Sequence, residues 1–196
     1  TSLPTSTFVQ KAFASLDSFP LLAIPFFILA GVIMTEGGMS KRLLDLASVL
    51  VGYLVGGLAM VSVVASMFFA ALSGSGPATV AAVGSIMIPS MKERNYSEGF
   101  AAAVTAASGS LGVLIPPSIP LVMYGIVSGV SIGALFLAGI IPGLIMGILI
   151  MISAYIISKK NNYVGVGKRP TFKELISAIN NAKFGLLVPV IILGGI

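Results

Sequence analysis

Leu72-Ser73-Gly74-Ser75-Gly76-Pro77-Ala78-Thr79 interrupts a stretch, Leu46 to Met91, that carries no charged residue. Serine and glycine discourage a helix from continuing, whereas Pro77 suits the first turn of a new one, where its missing N–H leaves no bond unmade. Apolar segments of about 15 residues flank the interruption, over 58–72 and 77–91. The whole chain shares their character: 196 residues, 57% hydrophobic, 9% charged, mean hydropathy +1.08. A soluble domain carries roughly 25% charged residues, and one this size has no means of hiding so much apolar surface. The chain reads as an integral membrane protein. At 1.5 Å per residue each flanking leg reaches about 22 Å, short of the roughly 30 Å hydrocarbon core. Two short legs that leave and rejoin the same charged side read as a re-entrant helical hairpin, residues 58–94, with Ser73 to Thr79 as its tip.

Composition excludes a soluble enzyme, a disordered tail and a nucleic-acid module. With no His and no Cys, imidazole and thiolate metal sites, Ser-His and Cys-His catalysis and disulfides are excluded as well. No initiator Met or signal-peptide pattern is present, and the sequence stops inside an apolar run. The expectation is an excerpt of a longer polypeptide.

The net charge is +5, and the basic residues fall in short clusters: Lys41-Arg42, Lys92 to Arg94, Lys159-Lys160, and Lys168 to Lys183. Cytoplasmic loops gather Lys and Arg, so the stretches between clusters must cross an even number of times. Lys92, Lys160 and Lys173 are then expected on the cytoplasmic side and Lys11 outside. The segments follow: an outer lead-in over 1–17, a transmembrane helix over 18–36, and an interfacial amphipathic helix over 37–57. In that helix Lys41, Asp45, Ser48 and Gly52 form the polar stripe, with Lys41 and Asp45 spaced to pair. After the hairpin come a broken transmembrane helix over 97–127 and a transmembrane helix over 131–158. A basic cytoplasmic loop with an amphipathic helix over 159–183 and the start of another span over 184–196 complete the chain. Thr171 and Glu174 form a capping-box pattern in that loop. Gly139, Gly143 and Gly147 make a small-residue stripe for helix packing, and no transport role is assigned to it.

In the broken helix, Ser97 is a plausible N-cap, and small residues run from Ala101 to Ser110. Pro116 lacks an N–H, and Pro117 drives the residue before it out of the α region. A break near Gly112 to Pro116 is expected, with a restart at Pro117. From Gly99 to Gly112 the helix rises about 20 Å, so the break lies at the depth of the hairpin tip and is approached from the same side. The fold class is therefore all-α and membrane-integral, with broken helices and a re-entrant hairpin.

Irregular backbone at membrane depth survives only where protein or a cavity surrounds it. Broken helices meeting near the midplane build ion and substrate sites in many secondary transporters. Ser73, Gly74, Ser75 and Gly76 at the tip, with Ser108, Gly109 and Ser110 before the break, supply hydroxyl and carbonyl oxygens without a carboxylate. That donor set suits a monovalent cation better than Ca²⁺ or Mg²⁺. Pro77, Ala78 and Thr79, together with Pro117 and Ser118, open half-helices whose positive dipole ends suit an anionic substrate. No cofactor is expected beyond the bound cation.

At these residues the sequence resembles a known family. Leu16-Asp17-Ser18-Phe19-Pro20-Leu21-Leu22-Ala23-Ile24-Pro25-Phe26-Phe27, then Leu29-Ala30-Gly31, is similar to the large membrane component of the TRAP (tripartite ATP-independent periplasmic) transporters. So are Leu72 to Thr79 and Gly112-Val113-Leu114-Ile115-Pro116-Pro117-Ser118. The resemblance runs in order through nearly the whole chain. It implies a bacterial or archaeal inner-membrane, Na⁺-coupled importer of organic acids, of dicarboxylate or sialic-acid type, working as an elevator. It implies three protein partners: a periplasmic substrate-binding protein, a small four-helix membrane component (fused or separate), and the remaining inverted half of the same chain. Membrane lipid surrounds the assembly, and nucleic acid has no part in it. Ser73 to Thr79 would map to the first hairpin tip and Ser108 to Ser118 to its partner broken helix.

Other readings of the residues are a passive channel, which also uses hydroxyls and carbonyls, and a purely structural subunit. An intramembrane enzyme is disfavoured, because no carboxylate or Lys lies mid-span. The chain is not expected to be an enzyme.

Overall fold

The computed structural model describes residues 6–7, 9–10, 13, 19–165 and 169–194. Most of the lead-in expected over 1–17, with Lys11, lies outside the described residues, as do Lys168 and the last two positions of 184–196. Among the described residues every regular element is a helix: α1 (Phe19–Glu36), α2 (Met39–Val51), α3 (Gly57–Ser73), α4 (Gly76–Glu93), α5 (Glu98–Gly109), α6 (Leu111–Leu114), α7 (Ile119–Ser128), α8 (Ile132–Lys160) and α9 (Phe172–Gly194). Three helical stretches are long and apolar enough to cross a membrane: Glu98–Ser128 taken together, Ile132–Lys160 and Phe172–Gly194.

The first hairpin leg, α3, is apolar on all sides, the pattern of a helix enclosed by others, and 11 of its 17 residues are buried. Val61, Ala65, Phe69 and Leu72 face Leu43, Leu46 and Ala47 of α2, Val83 and Met87 of α4, and Ala178 and Ala182 of α9. On the opposite side Ala59, Val63 and Ala70 join Met91, Ala101, Val104, Leu111 and Ala154. The hairpin therefore wedges between the surface helix and the broken helix. By contrast α8 buries only Phe136 and a few small residues and leaves Leu137, Ile141, Ile148 and Ile152 exposed. A lipid-facing span has that pattern, since apolar exposure carries no cost in hydrocarbon.

Aromatic contacts fix the common side of the loops. Tyr96 and Tyr163 stack with centroids 4.1 Å apart, and Phe100 stacks on Tyr163 at 5.7 Å. The Ser97 N–H donates to the Tyr163 hydroxyl at 3.0 Å, and the Gly56 N–H to the Tyr163 carbonyl at 3.0 Å. The two ends of the hairpin, the start of the broken helix and the end of α8 are thus tied together. Burial among these rings pushes the Tyr96 hydroxyl above its ordinary pKa. Beside them the exposed Lys92–Glu98 pair raises the Lys92 pKa through its hydrogen bond. The pair adds some stability. Solvent screening keeps it small.

Three expectations need correction. The surface helix stops at Val51, not at Gly56-Gly57, and Gly52 is buried rather than on the polar stripe. Leu43, Leu44, Leu46 and Ala47 turn inward, leaving Lys41, Asp45 and Ser48 exposed. Lys41 and Asp45 do not pair: among the described residues the one ion pair is Lys92–Glu98. Charges this exposed gain little over separate hydration. Finally, the amphipathic helix within 159–183 and the span over 184–196 are one continuous helix, α9. Asn180-Asn181-Ala182-Lys183 holds neither Gly nor Pro to break it, although Thr171 and Glu174 do form the expected cap, with the Thr171 N–H donating to Glu174 Oε2 at 2.7 Å.

Candidate functional site

The tip is built by two caps. Gly74 ends α3 with φ +60°, a left-handed conformation that glycine adopts at no steric cost, and its N–H donates to the Ala70 carbonyl at 2.9 Å. Ser75 is extended, and its side chain caps α4 by accepting from the Ala78 N–H at 3.4 Å. Behind this turn three oxygens gather. The Thr79 hydroxyl donates to the Ser75 carbonyl at 2.9 Å and lies 3.1 Å from Ser73 Oγ, and the Ser73 hydroxyl reaches the same carbonyl at 3.3 Å. Thr79, placed by sequence among the anion-facing residues, is fully buried within this cluster.

The break falls at 115–118, later than Gly112 to Pro116. α6 runs to Leu114, Ile115 is extended, and the Pro116–Pro117 peptide is cis. The second half-helix starts at Ile119, not Pro117. Ser118 is its N-cap, accepting from the Leu121 N–H at 3.4 Å, and Pro120 takes the place in the first turn expected of Pro117. The buried Ser118 hydroxyl also donates to the Val113 carbonyl at 2.6 Å, bridging the break. The stripe on α8 seats this irregular backbone: a Cβ at Gly139 would stand 2.6 Å from the Leu114 carbonyl oxygen.

Tip and break are in direct backbone contact. The Ile119 N–H donates to the Gly74 carbonyl at 2.9 Å. A Cβ on Gly112 would stand 2.7 Å from the Ser75 carbonyl carbon and 2.8 Å from the Gly76 nitrogen, and one on Gly74 would stand 2.8 Å from the Pro117 oxygen. The irregular backbone of the tip and that of the break thus pack on each other, as membrane burial favours.

Of the residues expected to hold a cation, Ser73, Gly74, Ser75, Gly76 and Gly109 come together, with a Cβ on Gly76 3.2 Å from the Gly109 oxygen. Ser108 and Ser110 turn elsewhere. Ser110 is exposed and donates to the Ala107 carbonyl at 2.7 Å. Ser108 is buried, donates to the Thr105 carbonyl and accepts from the Ser66 hydroxyl at 3.0 Å. Next to that pair, Ser62 and Thr105 approach to 3.4 Å. Sequence reading missed this hydroxyl ladder, whose signal was Ser62 and Ser66 four apart in an apolar leg. Pro77 and Ala78 are exposed at the tip, and the Ala78 and Thr79 N–H groups are already taken by Ser75. Beside the tip a cleft of about 550 Å³ opens against α1, lined in part by Ile28, Val32, Ser73, Ser75 and Ile119, with Glu36 as its one charged residue.

Ser108→Ala is expected to leave the Ser66 hydroxyl buried without its acceptor, at a cost of about 1–3 kcal/mol. Thermal unfolding of the full-length protein should detect the loss. An unchanged midpoint would mean that the ladder contributes nothing.

A re-entrant-type hairpin clasped against a broken helix in apolar surroundings defines an all-α integral membrane protein of the broken-helix class. Residues 1–196 match the family described as tripartite ATP-independent periplasmic transporter, DctM component, and the chain belongs to that family. It is accordingly an inner-membrane protein. It is 53% identical over 195 residues to the isethionate TRAP transporter permease protein of Oleidesulfovibrio alaskensis, covering 100% of this chain and 31% of that protein. The C4-dicarboxylate TRAP transporter large permease protein of Pseudomonas aeruginosa is 47% identical over 186 residues, covering 95% and 43%. The sialic acid TRAP transporter large permease protein of Vibrio cholerae is 44% identical over 187 residues, covering 95% and 44%. The chain thus spans less than half the length of each of these relatives.

Proposed function

We propose that this chain forms part of the permease of a Na⁺-coupled secondary transporter that imports an organic acid delivered by a periplasmic binding protein. The observation that carries the reading is the oxygen cluster of Ser73 Oγ, Thr79 Oγ1 and the Ser75 carbonyl, held against the break without a carboxylate. A neutral oxygen set suits a monovalent cation better than a divalent one. Ser73, Ser75 and Thr79 would hold Na⁺, and a bound ion would draw the hydroxyl and carbonyl dipoles together, locking tip to break. That is how Na⁺ raises affinity for an acid it need not touch. The relatives' named substrates, isethionate, C4-dicarboxylates and sialic acid, are all organic acids.

The acid would lie in the cleft between the tip and α1, near the exposed start of α4 at Pro77 and Ala78. An elevator motion carries hairpin and broken helix as one body, and the Tyr96–Tyr163 stack with its loop hydrogen bonds supports that unity. A small four-helix membrane component and the remaining half of the permease complete the assembly. The deciding experiment is uptake into proteoliposomes by the full permease with its binding protein. Accumulation above equilibrium that requires an inward Na⁺ gradient is expected, whereas flux only down the substrate gradient would make the protein a channel.

Sidedness is tested separately. Because the loops around Gly56, Tyr96 and Tyr163 meet on one side, a single Cys at position 92 or 160 should react with an impermeant thiol reagent only from the cytoplasm. Residues 1–196 hold no Cys, so the background needs only the replacement of any Cys elsewhere in the permease. Labelling at 92 from outside in intact cells would overturn this topology.

A further inference from the structure

On the far side of the hairpin from the break, α2 and α9 enclose a polar cavity of about 380 Å³ whose lining includes Arg42, Asp45, Asn180, Asn181, Lys183 and Phe184. Among the described residues neither Arg42 nor Lys183 has a carboxylate within ion-pair distance. Asp45 shares the cavity without neutralising them, which leaves two cations to one anion.

Lys183 also marks a border. The α9 residues before it include Lys173, Glu174, Asn180 and Asn181, whereas the 11 residues from Phe184 to Gly194 carry no charge. One face of α9 packs on the surface helix, where a Cβ at Gly185 would stand 2.8 Å from Met39 Sδ. On another face Phe184, Leu187 and Ile191 are exposed at 60%, 47% and 68%. Their spacing of three and four stacks them into one column running away from the cavity. The Lys183 ammonium lies 5.3 Å over the Phe184 ring, at the junction of cavity and column.

We propose that this junction binds an anionic phospholipid. The phosphodiester sits between the Arg42 guanidinium and the Lys183 ammonium, with the Asn180 and Asn181 amides as further donors, and one acyl chain lies along Phe184, Leu187 and Ile191. Guanidinium suits a phosphate through its paired N–H groups. Basic pockets between helices at the membrane surface recruit acidic headgroups for this reason. A soluble anion would satisfy the cations but make no use of the apolar column, and a zwitterionic lipid would fill the column but return its positive charge to the cavity. Only the anionic lipid meets both. Because Arg42 and Lys183 come from different helices, the bound lipid bridges α2 to α9. The proposal stands independently of the transport reading.

The test uses the full-length permease, stripped of lipid in uncharged detergent, with native mass spectrometry as the readout. Dioleoyl phosphatidylglycerol, dioleoyl phosphatidylcholine and glycerol 3-phosphate are titrated in parallel. Tight retention of phosphatidylglycerol alone is expected, and R42Q/K183Q should weaken it roughly thirty-fold for two lost cations near the surface. R42K/K183R should keep most of the affinity, and K159Q/K160Q, at the end of α8, should keep all of it. Equal binding of the two lipids, or an unchanged R42Q/K183Q, would overturn the site. Equal loss in K159Q/K160Q would reduce it to general surface charge. Binding of glycerol 3-phosphate as tight as that of the lipid would make it a soluble-anion pocket instead.

Discussion

Gly112→Ala is expected to lower the thermal unfolding midpoint of the permease and to abolish uptake. The added methyl would stand 2.7–2.8 Å from the Ser75 carbonyl carbon, its oxygen and the Gly76 nitrogen. Those atoms are backbone at a capped turn, so no side chain can swing away to make room. Overpacking of this kind costs about 1–3 kcal/mol. Relief comes only if the hairpin tip separates from the break, which also removes the Ile119–Gly74 hydrogen bond. Gly74→Ala should act in the same direction through two causes, the left-handed φ and the 2.8 Å approach of the Pro117 oxygen. Gly99→Ala is the control. Nothing lies within 4 Å of its Cβ position, and alanine favours a helix over glycine by up to about 1 kcal/mol, so its midpoint should hold or rise. If Gly112→Ala unfolds and transports like the wild type, tip and break do not touch in the working protein.

What the sequence made legible is what local chemistry dictates. Ser-Gly-rich residues around Pro77 end one helix and begin another wherever they occur, so the hairpin could be read to within a few residues. Residue counting puts tip and break at one height because helical rise is fixed, and the two are in contact. The start of the second half-helix was misjudged because Pro117 and Pro120 both suit a first turn. The choice between them depends on Ser118, whose hydroxyl spans the break to Val113 while its backbone stays extended. Side-chain direction was the least legible feature. Ser108 and Ser110 sit beside the break in sequence, but two residues turn a helix by about 200°. One therefore faces Ser66 in the core and the other faces outward. Thr79 lies one turn into α4, where its hydroxyl folds back on the cap, and only that geometry reveals it as a neighbour of Ser73. The Tyr96–Tyr163 stack joins residues far apart in the chain, and no local pattern announces it.

Ser73→Ala should raise the Na⁺ concentration needed for half-maximal uptake before it changes anything else in transport. Ser73 Oγ lies within 3.3 Å of the Ser75 carbonyl and nitrogen and 3.1 Å from Thr79 Oγ1, so it belongs to the oxygen set proposed for the ion. Losing one ligand at about 1–3 kcal/mol corresponds to roughly five- to 150-fold in Na⁺ requirement. Ser75 gives that set its carbonyl, which a substitution leaves in place. Its hydroxyl caps α4, so Ser75→Ala should lose about 1 kcal/mol of stability with little shift in the Na⁺ requirement, and Ser75→Thr should restore the cap. The Ser73 hydroxyl accepts from the Ser75 N–H, so Ser73→Ala should lower the unfolding midpoint about as far as Ser75→Ala does, while it alone of the two shifts the Na⁺ curve. Thr79→Val probes the third oxygen and should resemble Ser73→Ala, since it keeps the shape and removes only the hydroxyl. Ser48→Ala, on the exposed face of α2, should leave the Na⁺ curve where it is. The separation matters because a tip that served only as a turn would couple the two readouts: any fall in transport would track a fall in stability. Wild-type Na⁺ dependence in the Ser73/Ser75 double variant would therefore remove the ion from the tip and leave the caps as its sole role.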